Sequence, residues 1–169
     1  MADNFPGSIL YGSAGVPIHG RDGKILCASM PFRTSAVIVI DWGEDDVDIC
    51  AFWVGHGGQV GYSHGSKTEA NGYSQLWETR DNTTGGPERV VAGYKGAHFP
   101  EGATWEVHLN WWEGGPGTAE VTIKPPVGDP ITVTAQVSHS NRNHPASASD
   151  PGIRVIFNRD NTIKEVIPI

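Results

Sequence analysis

Asp46 and Asp48 stand two apart in the run Asp41-Trp42-Gly43-Glu44-Asp45-Asp46-Val47-Asp48. On an extended strand, residues two apart point to one face, which holds their carboxylates roughly 7 Å apart. Like charges at that spacing repel unless a cation lies between them. Farther along, Asp81-Asn82-Thr83-Thr84-Gly85-Gly86-Pro87-Glu88 offers carboxylate, amide and hydroxyl oxygens. Its glycines let backbone carbonyls turn inward. Calcium takes about six to eight oxygen ligands at ~2.3–2.6 Å, and flexible loops supply them readily. Neither segment has the spacing of an EF-hand. Each, taken alone, also reads as a solvated acidic strand end, and spacing does not dictate that the two meet.

The elements that must position these residues are strands. In Thr104-Trp105-Glu106-Val107-His108-Leu109-Asn110-Trp111-Trp112, one face carries Trp105, Val107, Leu109 and Trp111, and the other carries Glu106, His108, Asn110 and Trp112. Such alternation predicts a half-buried strand. Ile131, Val133, Ala135 and Val137 alternate with polar residues in the same way, and residues 36–42 are apolar on both faces, as in a central strand. Further strands are predicted at 24–28, 47–54, 59–63, 74–79, 119–124, 153–158 and 163–167. Turn residues separate them: Arg21-Asp22-Gly23, His56-Gly57-Gly58, Gly114-Gly115-Pro116-Gly117 and Arg159-Asp160-Asn161. No 3.6-residue apolar stripe is evident, although an isolated helical turn near residues 93–97 fits the sequence. About ten short strands predict an all-β chain folded as an antiparallel β-sandwich, with a partly closed barrel as the alternative. Residues 1–30 read as an N-terminal hairpin arm, turning at Asp22-Gly23, and 31–169 as the sandwich domain. The Ser138–Gly152 stretch, rich in Ser, Asn, His and Pro, reads as a long exposed loop.

Composition agrees and excludes other classes. Gly and Pro together make 34 of 169 residues, about 20% where roughly 12% is usual. With 12 Lys+Arg against 19 Asp+Glu, the net charge is −7. No basic stripe of the kind nucleic acid requires is present. The longest apolar run, Ala36-Val37-Ile38-Val39-Ile40, is far too short to span a membrane. The N-terminus shows no secretory signal, so a cytoplasmic protein is expected as synthesised. Cys27 and Cys50 are expected as reduced, buried thiols, with a disulfide between them as the alternative.

The order Asp46-Val47-Asp48-Ile49-Cys50-Ala51-Phe52-Trp53, then Gln59-Val60-Gly61-Tyr62, then Asp81-Asn82-Thr83-Thr84-Gly85-Gly86-Pro87-Glu88 resembles the YfaP-like bacterial β-sandwich domains. Those place an Asp-x-Asp-Leu strand before a Gly-x-Gly-Pro-Glu loop. It also resembles the TerD tellurium-resistance and stress family, in which an Asp-x-Asp strand and an Asp-Asn-x-Thr-Gly loop together bind calcium. The similarity is strongest over residues 34–124. It implies calcium ligands at Asp46, Asp48, Asp81 and Asn82, with Thr84 or nearby carbonyls contributing, and Glu88 matching the Pro-Glu of the YfaP-like pattern. TerD domains carry further acidic residues after the loop where this chain has Arg89 and Val90, which implies weaker binding or one ion rather than two.

No His or Cys spacing suited to zinc is present, nor a nucleophile elbow, P-loop or dinucleotide fingerprint. The chain therefore reads as a non-catalytic, calcium-binding interaction or assembly module with a protein or carbohydrate partner. The alternatives are a carbohydrate-binding module and a phage-tail or injection-particle accessory protein. A candidate binding face for such a partner is Glu106, His108, Asn110 and Trp112, with Trp112 partly exposed and Trp111 in the core.

Overall fold

The computed structural model describes residues 8–9, 27–28, 33–79, 81–115, 117–139 and 145–169, with 8–9, 27–28 and 139 described through their backbone alone. The described residues contain twelve strands: β1 (Ser8–Ile9), β2 (Cys27–Ala28), β3 (Thr34–Asp41), β4 (Asp46–Trp53), β5 (Lys67–Ala70), β6 (Tyr73–Trp77), β7 (Glu88–Tyr94), β8 (Ala103–Glu113), β9 (Gly117–Lys124), β10 (Ile131–His139), β11 (Gly152–Phe157) and β12 (Ile163–Pro168). There is no helix among the described residues. β1 and β2 pair antiparallel with each other, and the predicted Asp22-Gly23 turn between them lies outside the described residues.

The other ten strands form a sandwich-like arrangement that does not close into a barrel. One layer runs β5-β6-β7-β3-β9-β10 and the other runs β12-β11-β8-β4. β10 links them. Along most of its length it pairs antiparallel with β9, and at its end it pairs parallel with β8 through Ser138↔Asn110 and His139↔Trp111. The alternation seen in the sequence selects the inner faces: Ile38, Ile40, Val90, Ala92, Val121 and Ile123 pack from the first layer. Val47, Ile49, Trp53, Trp105, Leu109, Val155 and Phe157 pack from the second. Trp53 is the aromatic centre, with ring centroids 5.0 Å from Tyr73, 5.5 Å from Phe99 and 5.8 Å from Phe157.

Several expectations need correction. The predicted strand at 59–63 is reduced to two isolated bridges, Ala51↔Val60 and Gly61↔Gly65, the second closing a turn in which Gly61 (φ 127°) and Ser63 (φ 66°) leave extended space. Gly61 is required there, because a Cβ would lie 2.0 Å from the Ile49 carbonyl oxygen. No helical turn forms at 93–97, since β7 continues through Tyr94. β8 is not half-buried but covered on both faces, as described below. The stretch expected as one long exposed loop begins inside β10, and Ala146 and Gly152 are buried. Cys50 is a free, buried thiol, pushed up to about 12 mainly by burial, with the Asp150 charge adding to the shift.

Candidate functional site

β4 pairs with β8 on one side; on its other side, among the described residues, it makes the Ala51↔Val60 bridge. Asp46 and Asp48 lie at its start, where the register shifts. Asp46 faces Glu113 while Val47 already faces Trp111, so Trp112 is the extra residue of a β-bulge. The segment leading into β7 comes alongside. Its Gly86 N–H donates to the Trp42 carbonyl at 3.3 Å, and Gly85 presses so closely on the Gly43 carbonyl that a Cβ would lie 2.7 Å from its oxygen. A glycine pair is needed for this approach.

The result is a convergence that spacing alone did not dictate. One carboxylate oxygen from each of Asp46, Asp48 and Asp81 lies within 4.8 Å of the other two. Asp46 is 6% exposed and Asp48 2%. Asp46 Oδ1, Asp48 Oδ2 and Asp81 Oδ1 are all buried without a hydrogen-bond partner. Buried polar atoms in folded proteins are nearly always paired, so an unpartnered oxygen on each of three neighbouring carboxylates leaves room for a ligand there. The cluster can hold a metal ion.

The electrostatics say the same. Burial raises the Asp48 carboxyl to about 7, with the charges of Asp46 and Asp81 adding to the shift. Burial also raises Asp46, with Asp81 contributing, and it raises Asp81. Glu88, fully buried at the start of β7, is pushed up to about 8 by burial against two hydrogen bonds that favour its charged form. Groups raised in this way hold protons in the folded state that the unfolded chain has lost. Their stabilising contribution is complete below about pH 4 and disappears as pH rises through about 7 to 8. Metal-free protein is therefore expected to melt several degrees lower at pH 8 than at pH 5. Thermal scans in chelator read this directly, and a melting temperature that rises over the interval contradicts it.

The other predicted ligands, Asn82, Thr84 and Glu88, follow Asp81 on the same segment. Thr84 is at the exposed tip of its loop. Asn82 is next to Asp81, its side-chain amide donating to the Pro87 carbonyl at 3.4 Å. Both Glu88 oxygens are engaged: Oε1 accepts the Asn82 backbone N–H at 3.1 Å and Oε2 accepts Trp77 Nε1–H at 2.8 Å. Asp41, Glu44, Asp45, Glu113 and Glu120 are exposed on the segments around the cluster. No Lys or Arg occurs in residues 41–48, 81–88 or 113–120.

The predicted binding face is not an open surface. Glu106, His108 and Asn110 are buried, and only Trp112 remains partly exposed, its ring centroid 5.7 Å from that of Tyr62. Residues 145–151 help cover the face. His108 Nδ1 lies 2.6 Å from the Asp150 carbonyl oxygen and its Nε2 3.2 Å from Glu106 Oε2. Arg154 Nε donates to Glu106 Oε1 at 2.6 Å. Ser138 Oγ lies 2.8 Å from Asp150 Oδ1 and 3.1 Å from Asn110 Oδ1, its single O–H shared between these two acceptors, while the Phe52 ring stacks on His108 at 5.5 Å. Alternation marked these residues as polar and therefore outward, but segments remote in sequence bury them.

Comparison of the chain with models of protein families, with curated proteins and with solved structures gives no match.

Proposed function

We propose that this domain binds calcium through Asp46, Asp48 and Asp81 and serves as a non-catalytic interaction or assembly module whose loops the ion fixes. The observation that carries this reading is that Asp46, Asp48 and Asp81 each bring a carboxylate oxygen within 4.8 Å of the others and each keep a buried oxygen without a hydrogen-bond partner. The all-oxygen donor set favours a hard cation, and its irregular origin, from one strand and one loop, suits calcium better than the near-octahedral demands of magnesium. Asn82 and backbone carbonyls of its loop would complete the shell. The order of the two segments, similar to that of TerD and YfaP-like domains, supports the same ion. When bound, calcium supplies charge neutralisation and a tie between β4 of one layer and the loop entering β7 of the other.

The charges left around the ion face outward and give a partner its contact.

The test is thermal unfolding in calcium and in chelator, on protein first shown to be free of metal. Calcium at a hundredfold excess over Kd adds about 2.7 kcal/mol, a rise on the order of 5–10 °C for a chain of this length. Asp48→Asn and Asp81→Asn are expected to lose most of that rise. At about pH 8, where the metal-free carboxyls are ionised, both are also expected to melt higher than the parent in chelator, because each removes a charge that repels its neighbours. Identical parent curves in calcium and chelator would exclude the site.

A further inference from the structure

We propose that Glu88 is a positioning residue for the cation site rather than one of its ligands: it anchors the Asn82 amide to β6 and β7 and thereby aims Asp81 at Asp46 and Asp48. The inference rests on the cation-binding reading above and assigns the residue on which that site's geometry depends.

The contrast between these four carboxylates carries the argument. Asp46, Asp48 and Asp81 each leave an oxygen without a partner, whereas each Glu88 oxygen already accepts a hydrogen bond. Its two donors come from different parts of the chain. Trp77 ends β6 and pairs with Val90 of β7, so its indole N–H is fixed by the sheet. The Asn82 N–H belongs to the irregular loop, one residue after Asp81. Glu88 itself is 0% exposed and pairs with Ile40 on the central strand β3. A rigid group thus grips a flexible one next to a ligand. Second-layer partners of this kind usually change metal affinity by about 10–100-fold when lost.

Donor and acceptor chemistry supplies a test that separates positioning from charge. Glutamine has one acceptor oxygen, so in Glu88→Gln the amide nitrogen must face either Trp77 Nε1–H or the Asn82 N–H, donor against donor. Adding Trp77→Phe removes one of the two donors and frees the glutamine oxygen for Asn82. Glu88→Asp keeps the charge and loses the reach. Calcium titration calorimetry reads affinity, and hydrogen exchange of the Asn82 amide in calcium-free protein reads the grip without metal. The expected result is that Glu88→Gln and Glu88→Asp both bind calcium about 10–100-fold more weakly and lose Asn82 protection. The Glu88→Gln, Trp77→Phe double variant regains most of both.

Unchanged affinity in Glu88→Gln overturns the proposal. So does full affinity in Glu88→Asp, or a double variant that recovers Asn82 protection and remains weak, since charge alone would then explain the loss. If the parent protein binds no calcium at millimolar concentration, the cation reading itself fails and the proposal fails with it. In that case Asn82 protection in the parent still shows whether Glu88 holds the loop.

Discussion

Gln75→Leu is expected to destabilise the protein by about 3 kcal/mol or more, although leucine is similar in size and better suited to an apolar interior. Gln75 is 1% exposed and lies between the two layers. Its amide nitrogen donates to the Ala51 carbonyl at 2.9 Å and the Gly58 carbonyl at 3.1 Å, with Thr68 Oγ1 at 3.3 Å. Its oxygen accepts Trp105 Nε1–H at 3.1 Å. Leucine satisfies none of these groups, and each buried group left without its partner costs about 1–3 kcal/mol. The Trp105 N–H is the worst placed, because its residue is fully buried on the central strand of the second layer. Chemical denaturation, with calcium held constant so that the ion site does not vary, measures the effect. A loss below about 1 kcal/mol would mean that other groups or water take over the partners.

Neighbouring tryptophans should behave very differently. Trp111→Ala is expected to cost about 3–5 kcal/mol, the range for a large core aromatic. Its side chain is in the shared core, and the β8–β9 turn is moulded on its ring: a Cβ at Gly115 would lie 2.4 Å from Trp111 Cδ1, and one at Gly117 3.0 Å from Cζ2. Trp112→Ala should cost about 1 kcal/mol, a typical surface-to-intermediate value, because the bulge turns this residue toward Tyr62 at the edge of the core. Denaturation of both variants under one set of conditions decides the matter. Equal large losses would place Trp112 in a second packed layer.

Legibility from the sequence followed the range of the forces involved. Period-two patterning is local, so β3, β4, β8, β9, β10, β11 and β12 could all be read, along with the inward faces of β8 and β10. β7 was hidden, because Gly85-Gly86-Pro87 and the charged pair Glu88-Arg89 resemble loop chemistry, and β5 (Lys-Thr-Glu-Ala) has no apolar face at all. Asp46, Asp48 and Asp81 were legible by residue type and by the resemblance. Their convergence required the Gly43–Gly85 approach, a tertiary event. Glu88 was legible as an acid at the site, while its grip on Trp77 and Asn82 depends on register between β6 and β7. Gln75 gave no signal: a polar residue in an alternating strand looks solvent-facing until Trp105 is known to lie above it. The outer face of β8 misled for the same reason, since Asp150 and Arg154 reach it from 42 and 48 residues away.

The exposed acids around the cluster act beyond their immediate contacts. Asp41, Glu44, Asp45, Glu113 and Glu120 belong to segments that contain no cationic residue, so their fields add rather than cancel. Such an end works as a funnel: cations are drawn in from about a Debye length away, on the order of 8 Å in physiological salt, and their arrival is hastened. If a cation seats among Asp46, Asp48 and Asp81 as proposed, added monovalent salt is expected to slow its capture more than it hastens its release, because the burial of Asp46 and Asp48 would shield the seated ion from the bulk.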